Sequence, residues 1–229
     1  MCSSDLVVIA LAVGLMGGAL NGAFVARFHL PPLVVTLATM ALFRGSAMTI
    51  SQARPVSDFP DAFAALGQGE LAWLPTQLWI WMAVYGTCWM VLQRMGIGRY
   101  LLAIGDSIRA ARAAALPVAH LLLGTYAMTG LLCALAGIVY TSRVSTARAD
   151  AGVGLELEAI TAVVLGGTHI TGGRASLSGT LLGVLLLGSV RNGLSLAGVS
   201  SVWQTILAGA ILIATAALNR RLTDRDTAR

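Results

Sequence analysis

From Leu6 to Ala26 the chain carries no charged side chain. Crossing the ~30 Å hydrocarbon core of a bilayer takes about 20 mostly apolar residues in a helix. This first segment meets that requirement, and the pattern recurs. Leu33–Ile50 is a second apolar segment, interrupted by Arg44; Gln77–Leu92 is a third and Val118–Tyr140 a fourth. Another lies between Arg174 and Arg191, and a last one covers roughly Val202 to Leu218. Between the fourth segment and Arg174, Ala159–Leu165 is apolar but too short to span. Hydrophobic residues make up 57% of the chain and charged residues 11%. A soluble domain carries about 25% charge, so this composition cannot clothe a water-facing surface. The expected fold is an all-α polytopic membrane bundle of six to seven membrane segments, one of them short and broken or re-entrant. It forms a single membrane domain over 1–229, with a cytoplasmic loop at 93–117 within it.

Charge sets the orientation. All 15 basic residues are arginine. With the loop 93–117 in the cytoplasm, Arg27, Arg94, Arg99, Arg109, Arg112, Arg220, Arg221, Arg225 and Arg229 fall inside. Only Arg54, Arg143 and Arg148 fall outside, three against nine. That asymmetry follows the positive-inside rule and places the C-terminus in the cytoplasm. The parity closes if Ala159–Leu165 and the segment after Arg174 together make one return. Trp73, Tyr140 and Trp203 then lie near the outer boundary, where aromatic rings favour the headgroup level. The net charge of +5 reads as this cytoplasmic excess facing membrane lipid, not as a nucleic-acid surface. The absence of lysine excludes a P-loop, whose lysine reaches the phosphates. Cys2, Cys88 and Cys133 are too scattered for a disulfide framework or a metal site and read as small packing residues.

Gly14, Gly18 and Gly22 repeat every four residues, with Gly17 beside them, and line one helix face for close packing. Gly179 and Gly183 repeat the pattern. The first four apolar segments and the last contain no Asp or Glu, the residues that carry protons in coupled carriers. Arg44, Arg174 and Arg191 are costly in apolar segments. They either bind carbonyls and helix ends or line a hydrated path. In GRYLLAIGDSIRAARAAALPVAH, Asp106 or Ser107 can cap a short helix over Ile108–Leu116 that Pro117 ends. Its alanine face suits either a partner's groove or a solvated loop. In AVVLGGTHITGGRASLSGT, paired glycines flank His169. Irregular backbone at membrane depth borders a cavity or forms a tight turn. His169 has no second ligand at metal spacing and reads as a hydrogen-bonded histidine. The candidates for lining a path are Asn21, Thr36, Thr39, Arg44, Thr161, Gly166, Gly167, Thr168 and Asn192.

Four stretches together resemble the permease subunits of bacterial ATP-binding-cassette importers for ribose and related sugars. They are GALNGAFVARFHLPPLVVTLATMALFRG (18–45), GRYLLAIGDSIRAARAAALPV (98–118), ADAGVGLELEAITAVVLGGTHITGGRASLSGTLLG (149–183) and RNGLSLAGVSSVWQTILAG (191–209). FPDAFAALGQGEL (59–71) and ARADAGVGLELEAITAVVLGG (147–167) look most like rhamnose-type permeases. Branched-chain amino-acid permeases share the broad fold but resemble these stretches less. The resemblance implies a bacterial inner-membrane protein that is not itself an enzyme and needs no cofactor, because ATP is used by a separate ATPase subunit. The implied partners are a second permease subunit, identical or not, two cytoplasmic ATPase subunits and a periplasmic sugar-binding protein.

The resemblance also makes 106–118 the coupling helix that touches the ATPase. Asp106, Arg109, Ala110, Ala111, Arg112, Ala115 and Pro117 are its candidate residues. Where the family has a glycine near the end of this motif, this chain has Ala115, so a more helical turn is expected. Family members are longer at the N-terminus and carry further membrane helices there, so the chain is expected to be an N-terminally truncated unit. Two other classes compete. A stand-alone secondary carrier or channel predicts a membrane carboxylate or inverted repeats. An intramembrane hydrolase predicts a serine or cysteine beside a general base, and His29, His120 and His169 sit in separate segments.

Overall fold

The computed structural model describes residues 3–71, 73–169, 172–200, 202–211 and 213–215. The C-terminal arginines, the end of the last apolar segment, Ile170 and Thr171 therefore lie outside the described residues. The chain is mainly helical: α1 Ser3–Phe28, α2 Pro32–Ser51, α3 Asp61–Gln68, α4 Thr76–Arg94, α5 Gly96–Asp106, α6 Ile108–Ala113, α7 Val118–Val144, α8 Leu155–Leu165 and α9 Leu177–Leu196. A two-residue hairpin, β1 Glu70–Leu71 and β2 Leu74–Pro75, sits between α3 and α4, pairing Glu70 with Pro75 and Leu71 with Leu74.

Among the described residues, α1, α2, α7 and α9 are long and apolar enough to cross a membrane. The other expected segments are of a different kind. Helix α4 has 19 residues but falls short of these four, with Gln77, Gln93 and Arg94 at its ends. Helix α8 has 11 residues and is too short to span alone. The apolar helix Val202–Thr215 is also short in its described extent. The spanning helices turn large apolar side chains outward: Val13 is 63% exposed, Leu33 69% and Leu182 67%. That is the reverse of a soluble core and suits a lipid surround.

The described residues fall into two compact units, one drawn from Met1–Met95 and Arg112–Ala151, the other from Gly96–Ala111 and Gly152–Arg229. The first is built on α1 against α7. Lipid tails are as apolar as leucine, so close backbone approach rather than water exclusion holds membrane helices together. The glycines provide it. A side-chain carbon on Gly14 would strike Ala134 and Gly130; on Gly18, Tyr126, Ala127 and Gly130; on Gly22, Leu123 and Tyr126. The descending order of partners makes the pair antiparallel. Gly17 looks away from this seam toward the Phe43 ring of α2.

The stretch 52–75 ties itself to the end of α7. Phe63 is 1% exposed and packs on Phe59 with ring centroids 5.0 Å apart. The buried Ser142 hydroxyl donates to the Phe63 carbonyl at 2.6 Å. Gly67 lies against the Ser142–Arg143 backbone. Gln68 Nε2 donates to the Arg143 carbonyl at 3.1 Å and to Ser145 Oγ at 2.9 Å. Val56 and Ala147 exchange backbone hydrogen bonds of 3.0 and 2.8 Å. Just beyond, Arg148 grips Asp150 through two bonds of 2.9 and 2.8 Å. The bond from Arg148 holds the Asp150 carboxyl below the usual range, and the same bond raises the Arg148 guanidinium.

In the second unit, α8 and α9 pack closely. Gly166 lies against Gly179, and Gly183 against the Ala162 carbonyl. Ser176 caps α9 by accepting from the Gly179 N–H at 3.1 Å. Arg191 pairs with Glu158, which answers the cost of that arginine within the unit.

Candidate functional site

Within the first unit, α1, α2, α7 and the stretch 56–63 enclose a cleft of about 1030 Å³. Its walls are mostly apolar, and Val56, Phe59, Phe63 and Ala147 lie along one side. Four of the expected path residues meet here: Asn21, Thr36, Thr39 and Arg44. The helical repeat explains the gathering. Thr36 and Thr39 are three apart and share a face of α2. Asn21 follows Gly17 by four on α1.

The polar groups differ in what they offer. Thr36 Oγ1 donates to the Pro32 carbonyl at 3.0 Å and Thr39 Oγ1 to the Val35 carbonyl at 3.0 Å. Thr129 likewise donates to the Thr125 carbonyl at 2.8 Å. Such back-bonding satisfies hydroxyl hydrogens inside a helix and leaves oxygen lone pairs free. Asn21 Oδ1 is buried and has no hydrogen-bond partner. The half-buried Arg44 forms no salt bridge among the described residues, and no carboxylate lines the cleft.

The remaining path candidates lie in the second unit. Thr161 is 0% exposed, and its hydroxyl donates to the Leu157 carbonyl at 2.6 Å. It is packed within its own unit, with no exposed surface in this structure. Gly166 is occupied by its close approach to Gly179. Gly167, at φ +82°, ends α8 in a left-handed conformation that favours glycine. Thr168 Oγ1 accepts from the Ser176 N–H at 3.2 Å and so braces the turn into α9. Asn192 is exposed on α9. His169 donates its backbone N–H to the Arg174 carbonyl at 3.1 Å. Gly172 and Gly173, both at positive φ, lie against the end of α5. A side-chain carbon on Gly105 would sit 2.8 Å from the Gly173 nitrogen, and one on Gly173 3.0 Å from Asp106 Oδ1. Sequence reasoning missed Gly105, because an isolated glycine in a helix gives no sign of what approaches it.

Helix α6 is shorter than the expected Ile108–Leu116. It begins with Ser107, whose Oγ accepts from the Ala110 N–H at 3.3 Å, and stops at Ala113. Asp106 closes α5 instead of capping α6. Arg109, Ala110, Arg112, Ala113 and Ala114 are exposed. Ala111 is 3% exposed and so is covered within its own chain, while its neighbours on α6 stay open. Ala115 adopts φ +56°, the left-handed conformation that glycine favours. The turn therefore keeps its shape without the glycine, and the expected more helical turn does not form. Pro117 then precedes α7. Left-handed alanine costs about 1–2 kcal/mol, partly offset by the greater freedom of unfolded glycine. Ala115→Gly is expected to stabilise the chain by about 0.5–1 kcal/mol, read from unfolding in detergent. A lower stability would mean that the turn is not left-handed.

The family model for the branched-chain amino acid transport system / permease component matches residues 5–216. The ribose import permease protein RbsC of Haemophilus influenzae is 38% identical over 214 residues, covering 92% of this chain and 66% of that protein. RbsC of Escherichia coli K12 is 39% identical over 211 residues, covering 90% and 66%. The autoinducer 2 import system permease protein LsrD of Photorhabdus laumondii is 40% identical over 211 residues, covering 90% and 63%. The chain thus spans about two thirds of the length of these curated relatives. No solved structure matches it. With the family model running through nearly all of an all-α, multi-pass membrane chain, the protein belongs to the family of branched-chain amino acid transport system permease components.

Proposed function

We propose that the chain is the membrane subunit of an ATP-driven importer and forms part of the path for a sugar or a similarly small hydroxylated solute. The observation that carries this reading is the likeness, along about nine tenths of the chain, to permeases named for ribose and for autoinducer 2 import. The family's description names amino acids, but these relatives point to the sugar class. The partners are a second permease subunit, cytoplasmic ATPase subunits and a periplasmic binding protein that delivers the solute. The setting is the bacterial inner membrane, with α6 and the C-terminus on the cytoplasmic side. The cleft favours a passive path over a proton-coupled carrier, because its lining holds no carboxylate to carry a proton.

Helix α6 is the contact with the ATPase. Its exposed Arg109 and Arg112 are three apart on one face, where they pair with carboxylates of the partner. Expressed with its genomic neighbours, the protein is expected to co-purify with an ATPase and to support ATP-dependent uptake of radiolabelled ribose. Arg109→Glu with Arg112→Glu sets like charges against that surface. It should weaken ATPase association by about tenfold or more and abolish uptake, with normal membrane levels. Intact association and uptake in that variant would make α6 a solvated connector. Absence of any co-purifying ATPase and of uptake would overturn the importer reading.

A further inference from the structure

We infer that Arg44 is the charge filter of the path: its fixed positive charge bars protons and metal cations from the cleft of the first unit. This inference rests on the importer reading and adds what the path must keep out. An arginine in an apolar segment usually binds carbonyls or is neutralised by a carboxylate. Arg191 follows that pattern, paired with Glu158 in the second unit, and Arg148 beyond α7 is paired with Asp150. Arg44 does not. Half-buried in α2, it forms neither a salt bridge nor a side-chain hydrogen bond among the described residues. It lines the cleft, and no carboxylate lines the cleft with it. Helix α2 is long and apolar enough to cross the membrane, and Arg44 lies seven residues before its end at Ser51, roughly 10 Å along the axis.

The consequence is electrostatic. Apolar walls supply no counter-charge and lower the local dielectric, so the field of Arg44 reaches whatever enters the cleft. Thr36, Thr39 and Thr129 line the same cleft with their hydrogens committed to their own helices. That leaves oxygen lone pairs, which attract cations, and Arg44 opposes the attraction. A guanidinium keeps its charge where a buried lysine would shed its proton, so the barrier does not fade in an apolar setting. The transmembrane potential, negative inside, drives cations inward and holds anions out. A path that opens for an uncharged solute is therefore exposed above all to the entry of protons and metal cations. A positive charge fixed in the lining blocks that entry without opposing an uncharged solute.

The test uses the importer expressed with its genomic neighbours and reconstituted in liposomes that enclose ATP. A potassium gradient with valinomycin imposes an inside-negative potential. During ATP-driven ribose uptake, trapped pyranine reads proton entry, and radiolabelled sodium and chloride read the other ions. The unsubstituted protein should admit protons and sodium no faster than protein-free liposomes. Arg44→Gln and Arg44→Met remove the charge and should raise both fluxes by about tenfold or more, because the like-charge repulsion is lost. Chloride entry should not rise. Arg44→Lys keeps a positive charge and should leak less than either. If Arg44→Met fails to insert, Arg44→Gln and Arg44→Lys decide the matter. Cation entry in Arg44→Gln equal to that of the unsubstituted protein overturns the inference. So does chloride entry that rises in step with sodium, which marks a loosened bundle, or a leak in Arg44→Lys as large as that in Arg44→Gln. Ribose uptake by the unsubstituted protein together with tight variants sinks the filter alone. Absence of ATP-driven uptake by the unsubstituted protein sinks the importer reading and the filter with it.

Discussion

Gly18→Val is expected to destabilise the first unit by about 3 kcal/mol or more, the upper range for forcing bulk into a packed interface. The reason lies in what the new side chain would meet. The nearest atoms are the Tyr126 carbonyl and the backbone of Ala127 and Gly130. A flexible side chain could step aside, but a helix backbone can only be pushed away. Pushing α7 away also opens the neighbouring approaches of Gly14 and Gly22, so one substitution costs the whole seam. Gly18→Ala should do less. Gly124→Ala on α7 is the control, because open space surrounds that position and alanine favours helix. Unfolding in mixed detergent micelles, followed by circular dichroism, reads the series. Equal midpoints for Gly18→Val and Gly124→Ala would refute glycine-mediated packing of α1 on α7.

Phe63→Ala is expected to cost about 3–5 kcal/mol, the usual range for deleting a buried aromatic ring. Phe63 is the most enclosed large side chain of α3, and its carbonyl receives the Ser142 hydroxyl. Its ring also lines the cleft. Loss of the ring should therefore loosen 52–75 before it affects the α1–α7 seam. Limited proteolysis should cut near 52–60 in the variant and leave the unsubstituted chain intact. Ser142→Ala should produce a milder form of the same pattern. Protection of this stretch in Phe63→Ala would show that the Val56–Ala147 bridge alone holds it.

The long helices were legible because each is announced by its own sequence. Leu6–Ala26 grew into α1, and Val118–Tyr140 into α7, with ends only a few residues beyond the charge-free runs. The glycine repeats were legible for the same local reason. The fastening of 52–75 was not. Its polar composition reads as a linker, and its anchor Ser142 lies 79 residues from Phe63 in the chain. The gathering of Asn21, Thr36, Thr39 and Arg44 could be listed from polarity within apolar segments. Polarity alone also listed Thr161, which tertiary packing encloses. Ala111 and Ala115 show the same limit on a smaller scale. Seven consecutive small and charged residues, 109–115, do not reveal which one turns inward or where the helix stops.

The approach of Gly105 to Gly172 and Gly173 sets backbone against backbone at the end of α5, with only the Asp106 side chain beside Gly173. Side chains act as cushions, because a rotamer change absorbs an ångström of displacement. Two backbones in direct touch have no such slack. Ser107, which caps α6, lies two residues beyond Gly105, and Arg174 lies one beyond Gly173. Under the proposed coupling role of α6, a thrust at its start would reach the turn ahead of α9 through this backbone contact. In this stretch the smallest residue is the stiffest coupling, and adding bulk there would soften the transmission by forcing the joint apart.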